Sequence, residues 1–201
     1  MEVIREMLPA DTFENIEMGA GMIAYKFEPE NPGALVPEDV AFATTGGVTV
    51  ACEPTYSDMG EDVDNCPEGL LELMHLDGWN CRFETTALAA SADTIQLALG
   101  AADAEDKNGY KEIVPRKVLR VTDAKDLWWV APKTNGGAVA VCLKNALCGG
   151  FSLKTGKNAK GQTTISITGH PTVETQDEVP MRFFVFPPAA DAGSETEEET
   201  E

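Results

Sequence analysis

Four carboxylates in the segment YSDMGEDVDNCP (56–67) are the first candidates for chemistry, because clustered carboxylates are the usual ligands of calcium. They belong to Asp58, Glu61, Asp62 and Asp64. An EF-hand requires alternating oxygen ligands, a central glycine and a distant bidentate glutamate, and that order is missing here. The segment is rich in turn-forming residues and therefore predicts a solvated acidic loop, with an irregular ion site as the alternative.

A glycine- and lysine-rich segment, 154–163, superficially matches a phosphate-binding P-loop. In a P-loop, a lysine follows the second glycine, and a helix begins there so that its N–H groups face the phosphate. Here Gln162 follows Gly161, and the alternating TTISIT that comes next predicts a strand. The segment is therefore predicted to be a basic hairpin tip, whose charges come from Lys154, Lys157 and Lys160.

The histidines and cysteines do not have the spacing of a catalytic or metal site. His75 and His170 are far apart, and the sequence has no CxxC, GxSxG or HExxH motif. His75 is predicted to pack partly buried among apolar neighbours, and His170 to lie in a turn. The five cysteines are predicted to be buried free thiols in a reducing compartment. We expect no catalytic residues, no cofactor and no metal, and hence not an enzyme.

The charges are strongly segregated along the chain. Residues 1–106 hold 22 acids and 3 bases, residues 107–160 hold 3 acids and 11 bases, and residues 161–201 hold 9 acids and 1 base. The net charge of −19 argues against an ordinary DNA-binding module, because most of the surface would repel phosphates. An acidic and a basic region on one subunit can match another copy front to back. The alternative is that the charges only keep the chain soluble.

One strand followed by one helix is the clearest structural pattern. Trp79, Cys81 and Phe83 alternate with polar residues, which predicts a strand with one apolar face. Ser91 is a favourable N-cap, apolar residues then recur at helical spacing, and a glycine follows. The pattern predicts one helix over about 91–99, covering a face or edge of a sheet.

Alternating apolar residues and turn signals predict a mostly β (α+β) protein. Segment 69–76 fits either a short helix or an extended stretch, 103–109 is predicted to be a polar loop, and Asn135-Gly136 predicts a tight hairpin. The expected fold is an antiparallel β-sandwich or barrel with one flanking helix. The further predicted strands are 23–27, 48–52, 127–130, 139–143, 151–153, 165–167 and 181–185.

Composition divides the chain into three parts. Residues 1–21 are predicted to be an N-terminal arm, 22–188 a single β domain, and 189–201 an acidic tail. The tail has six acids and no bases, which is typical of a disordered segment. The sequence has no run of eighteen apolar residues, and its opening MEVIREMLP lacks the apolar core and cleavage site of a signal peptide.

With these elements placed, the chain resembles the major tail proteins, the tail-tube subunits of long, non-contractile-tailed bacteriophages and prophages. The resemblance covers roughly residues 55–170 and rests on the order of elements in three stretches, since none is a chemical motif. The acidic tail falls outside it. The stretches are YSDMGEDVDNC leading through HLDGWNCRFETTALAASADTIQLALGAAD, IVPRK leading to DLWWVAPKTNGGAVAVCLKNAL, and GFSLKTGKNAKGQTTISITGH.

The resemblance implies a tail-tube-type β-sandwich with a flanking helix that assembles with itself into hexameric rings. The rings stack into a tube around a channel, which the tape-measure protein fills before infection and double-stranded DNA crosses afterwards. It also implies partnership with other tail proteins and a place in the virion, after synthesis in the host bacterial cytoplasm. It implies no membrane association, no catalytic residues and no cofactor.

Charge complementarity suggests how copies would meet. We hypothesise that the basic tip Lys154, Lys157 and Lys160 contacts the acidic loop 58–64 of a neighbouring subunit. The alternatives are another virion β-sandwich protein, such as a tail terminator or a capsid decoration protein. A third possibility is a monomeric binding module for a carbohydrate or small molecule that uses Trp128 and Trp129.

Overall fold

A computed structural model describes residues 9, 12, 16, 17, 19–88 and 90–188. The predicted acidic tail, 189–201, and most of the predicted N-terminal arm lie outside these residues. Within the described residues no helix has the length and apolar character needed to cross a bilayer. The elements are β1 (Met22–Ala24), β2 (Val40–Phe42), β3 (Thr44–Asp58), β4 (Met74–Ala87), α1 (Ala92–Leu99), β5 (Ala102–Lys107), β6 (Tyr110–Pro115), β7 (Lys125–Pro132), β8 (Ala138–Cys148), β9 (Ser152–Gly156), β10 (Ala159–Gly169) and β11 (Met181–Phe186).

Nine strands form one antiparallel sheet in which the two outermost strands are consecutive in sequence. The order is β2–β1–β7–β8–β10–β4–β3, with β11 beside β8 and β9 beside β10. Only Ala43 separates β2 from β3, and its carbonyl accepts a 2.9 Å hydrogen bond from the N–H of Leu88. The sheet therefore curves back on itself. The predicted class, mostly β and antiparallel with a flanking helix, is confirmed.

The buried core draws on strands from across this curved sheet. Phe42 of β2 and Phe83 of β4 belong to the same buried cluster, together with Leu127, Leu143 and Ile167. Val48, Val50 and Cys52 of β3 pack against it on one face, as the alternation in that strand predicts. Burial of these side chains supplies the main stabilisation of the domain, at about 1.5–3 kcal/mol for each large apolar residue.

The helix is set by local signals that the sequence displays. The Ser91 hydroxyl accepts a 3.2 Å hydrogen bond from the N–H of Thr94, and Gly100 ends the helix with a φ of 69°. A left-handed φ favours glycine, so Gly100 suits this end. Thr94 and Ala98 are buried. The predicted helix over 91–99 is confirmed, with α1 running Ala92–Leu99 and Ser91 as its N-cap.

The structure corrects the predictions for segment 103–109 and for the first strand. Segment 103–109 is not a loop throughout: 103–107 belong to β5, and only Asn108 and Gly109 form the turn to β6, with which β5 makes a separate two-stranded sheet. Its charged residues fall on both faces, so it lacks the alternation by which a half-buried strand is recognised. β1 is shorter than predicted and ends at Ala24, because the N–H of Tyr25 instead donates to the carbonyl of Asp39 at 2.8 Å.

Candidate subunit interface

β3 and β4 continue well beyond the rest of the sheet as a two-stranded arm. β10 pairs with β4 only from Arg82 to Ala87, whereas β3 and β4 stay paired as far as Asp58 and Met74. Within the described residues, 53–80 therefore has no third strand beside it. We call this segment the acidic arm. A lone two-stranded hairpin is marginally stable in water, so such an arm gains from being covered.

The acidic arm combines uniform charge with exposed apolar side chains. It contains eight acids and no base, and among the described residues only Glu53 at its root is in an ion pair, with Arg82 at 2.7 Å. Leu71 is the most exposed of its apolar side chains, at 83%. A group of exposed apolar residues with a polar rim is typical of a protein–protein contact surface. Eight large apolar residues of the arm are exposed, namely Tyr56, Met59, Val63, Leu70, Leu71, Met74, Leu76 and Trp79.

Asp58 closes the turn at the end of the arm. It is the last residue of β3 rather than part of the predicted loop, and its carboxylate accepts 2.8 Å hydrogen bonds from the N–H groups of Gly60 and Gly69. These bonds, that of Gly69 foremost, hold the pKa of the carboxyl below its usual 3.8. Among the described residues no group of three or more His, Cys, Asp or Glu side chains is arranged to hold a metal ion.

We expect Asp58→Asn to lower the melting temperature at neutral pH by a few degrees, because an amide oxygen replaces one charged acceptor and the second is lost. A lowered folded-state pKa stabilises the fold above about pH 4, and that stabilisation disappears as the pH falls through the lowered pKa. Thermal unfolding at pH 7 and at pH 3 should therefore show a difference between variant and wild type that shrinks in acid. An equal difference at both values would contradict this role.

The basic hairpin tip predicted from the sequence is confirmed as a hairpin. β9 and β10 flank the two-residue turn Lys157-Asn158, in which Asn158 has a left-handed φ of 59°. A strand and not a helix follows, so the segment is not a P-loop. Lys154, Lys157 and Lys160 are exposed, and none of the three has an ion-pair partner among the described residues.

Much of the remaining positive charge of segment 107–160 is neutralised within the chain. The segment therefore carries less uncompensated positive charge than its sequence suggests. Its unpaired cations, among the described residues, are those of the hairpin tip together with Lys117 and Lys125. Lys125 itself lies 5.9 Å from the centroid of the Tyr25 ring. The internal pairs include Lys107–Glu105 at 2.6 Å, Lys111–Asp93 at 3.3 Å, Arg116–Asp103 at 2.9 Å, Arg116–Asp123, Arg120–Asp103 at 3.3 Å and Lys144–Asp126 at 2.5 Å.

The acidic arm and the basic tip lie at opposite ends of β4. In β10, Thr163 pairs with Ala87 at the C-terminal end of β4, and the tip lies still farther in that direction. The other end of β4, which begins at Met74, belongs to the acidic arm. The thirteen residue steps from Met74 to Ala87 correspond to about 40 Å of strand. Opposite charges are therefore presented in opposite directions, as a front-to-back contact between copies requires.

A second surface, 110–121, joins exposed apolar side chains to positive charge. Lys111, Arg116, Lys117 and Arg120 outnumber the single acid of this segment, Glu112. The apolar surface of this segment is not predicted from its charges; its signal in the sequence is the valines and leucine interspersed among the bases. The exposed apolar residues are Tyr110, Val114, Val118, Leu119 and Val121.

The tryptophans proposed for an aromatic binding groove are engaged in packing. The Trp128 ring lies 5.2 Å from that of Phe27 and 5.4 Å from that of Phe184, centroid to centroid. Trp129 packs against the main core and donates through its indole N–H to the carbonyl of Ala20 at 3.4 Å. Both side chains are half-buried. This arrangement favours the packing interpretation of adjacent tryptophans over a ligand platform.

An open groove beside α1 has acids that are engaged in ion pairs. It has a volume of about 720 Å³ and is lined by Asp93, Asp123 and Asp126, among others. Asp93 pairs with Lys111, Asp126 with Lys144, and Asp123 with Arg116. The charge of each of these carboxylates is therefore balanced by a neighbouring cation of the same chain.

The histidines lie in different settings. His75 is exposed on the arm, so its predicted packing role was wrong because β10 ends before it and covers nothing there. His170 immediately follows β10, and its N–H donates to the carbonyl of Lys144 at 3.3 Å.

Comparison with known proteins places the chain in no family. No protein-family model matches the sequence, and no curated protein matches it either.

Proposed function

We propose that this chain is the repeating subunit of a phage-type tail tube, which assembles with itself into stacked, hexameric rings. The proposal rests on one observation. The acidic arm, with its exposed apolar side chains, and the basic tip lie at opposite ends of the same strand, β4. Such a subunit can repeat one contact indefinitely, because each copy offers at one end what the next needs at the other.

Open sheet edges support closure into a ring. Among the described residues β3 pairs only with β4, and β11 only with β8, so each leaves one edge unpaired. Phe183 and Val185 of β11 are 58% and 65% exposed. Pairing between subunits would satisfy the edge N–H and C=O groups and cover these side chains.

The proposed channel would serve the tape-measure protein before infection and double-stranded DNA during it. A net charge of −19 offers few contacts that neutralise phosphates, so DNA in transit would not adhere to an acidic wall. The proposed role is structural, without catalysis or a cofactor, and places the protein in the virion.

The second candidate is another virion β-sandwich protein: a tail terminator, which would form one ring without stacking, or a capsid decoration protein, which would sit singly on a shell. The monomeric carbohydrate-binding alternative is disfavoured, because Trp128 and Trp129 are committed to packing.

Negative-stain electron microscopy of the purified chain at low and moderate salt tests the proposal. We expect rings or tubes with a stain-filled channel, shorter at higher salt because screening weakens contacts between exposed charges. Single rings that never stack at either salt concentration would support the terminator. A species that stays monomeric at high protein concentration would contradict self-assembly.

A further inference from the structure

Two cysteines face each other directly across the base of the acidic arm. Cys52 of β3 and Cys81 of β4 are register partners in the antiparallel ladder, and their sulfur atoms are 3.5 Å apart. Arg82 is the first residue of β4 that pairs with β10, so the two thiols lie where the arm leaves the rest of the sheet. Both cysteines are free in this structure.

The backbone already has the geometry that a cross-link needs. Directly opposed residues of antiparallel strands have Cα atoms about 4.5–5.5 Å apart, which lies within the range of about 4.4–6.8 Å found for disulfides. Bond formation then requires mainly a rotation of side chains that are already in contact. Among the described residues no other pair of cysteine sulfurs is in contact.

We propose that Cys52 and Cys81 are an oxidation site, and that their oxidation forms a cross-strand disulfide that staples the base of the acidic arm. The inference does not depend on the tail-tube proposal. It predicts two states of the chain. In the reduced state only the hydrogen bonds between β3 and β4 hold the base of the arm, and in the oxidised state a disulfide holds it as well.

The oxidant is a low-molecular-weight disulfide such as oxidised glutathione. The Cys52 thiol loses its proton and attacks one sulfur of the oxidant, which forms a mixed disulfide and releases one thiolate. The Cys81 thiol then loses its proton and attacks the Cys52 sulfur, which releases the second thiolate. The two cysteines are oxidised by two electrons, and the oxidant is reduced to two small thiols.

Accessibility decides the order of these steps. Cys52 is half-buried and reachable, whereas Cys81 is fully buried. Burial, followed by the contact with Cys52, raises the pKa of the Cys81 thiol to about 12. Because the thiolate is the nucleophile, the second step is slow at neutral pH and accelerates as the pH rises.

Alkylation and peptide mapping of the wild-type chain test the proposal. Reduced protein is incubated with oxidised glutathione at pH 8.5, then denatured, alkylated and digested without reductant. We expect a peptide pair joined through Cys52 and Cys81, with three cysteines still alkylated. All five cysteines alkylated, a stable glutathione adduct on Cys52, or a link through another cysteine would overturn the proposal. The map uses wild-type protein and so does not depend on the folding of a variant.

Two matched variants locate the effect. Cys66→Ala removes a half-buried thiol from the turn of the arm and should leave the cross-link intact, whereas Cys52→Ala should abolish it. Oxidation of wild type should raise the melting temperature by about 6–12 °C, because the bond closes a loop of about 30 residues. An equal rise in oxidised Cys52→Ala would contradict the staple.

Discussion

Reversal of Lys154, Lys157 and Lys160 to glutamate is expected to abolish tube formation and leave the monomer folded. Each exposed ion pair is worth only about 0.2–1 kcal/mol, but three attractions become three repulsions at every contact. The free energy of each contact between subunits therefore becomes less favourable by about 1–6 kcal/mol, and this loss is repeated around every ring. Electron microscopy would measure assembly, and circular dichroism would verify that the variant retains the β fold.

A charge swap provides the matched control for this reversal. Adding Glu61→Lys and Asp64→Lys to the triple variant should restore part of the assembly, because two positions of the acidic loop then attract the new glutamates. Asp58 and Asp62 are left unchanged, since Asp58 closes the turn and Asp62 adopts a left-handed φ of 63°. Normal tubes from the triple variant alone would show that the tip does not meet the acidic arm.

Replacement of Phe83 by alanine is expected to lower the free energy of unfolding by about 3–5 kcal/mol. Phe83 is fully buried, and its register partners are Val50 of β3 and Ile167 of β10. Removal of the ring leaves a cavity between strands that cannot all collapse into it. Such a loss is a large share of the free energy of unfolding of a typical domain, about 5–15 kcal/mol. The midpoint of urea unfolding should therefore fall to a much lower urea concentration.

Phe183→Ala is the control for this prediction. The same chemical change is made on β11, where the side chain is 58% exposed. The free energy of unfolding of the monomer should change by less than about 1 kcal/mol, because little buried surface is lost. Equal losses in both variants would contradict the assignment of Phe83 to the core.

Elements specified by local signals could be predicted from the sequence, and α1 is the clearest case. Ser91 caps the first turn of this helix and Gly100 ends its last turn. The bounds of the helix can therefore be predicted without knowledge of the rest of the chain. The hairpin at Asn135-Gly136 is similar, with Gly136 at a φ of 79°. β5–β6 was missed because its strands bury no continuous face, and burial of one face creates the two-residue period.

The candidate interface could be predicted only in part, because it depends on where distant strands stop. The acids 58–64 and the three tip lysines are visible in the sequence as charged loops. The alternation of Trp79, Cys81 and Phe83 predicts one shared buried face, yet Trp79 is 40% exposed. The reason is that β10 ends at Gly169 and pairs no farther than Arg82, a register that no local pattern encodes.

The pairing of β1 with β7 also determines when the domain can be completed during synthesis. Ile23 pairs with Trp129, so β1 cannot pair with β7 until more than a hundred further residues have been synthesised. The β3–β4 hairpin, whose partners are close in sequence, can form much earlier on the ribosome. The eight acids of the acidic arm then make incomplete chains repel one another while their apolar side chains are uncovered. The charge that suits the arm to a neighbour would thus also protect the nascent chain from premature aggregation.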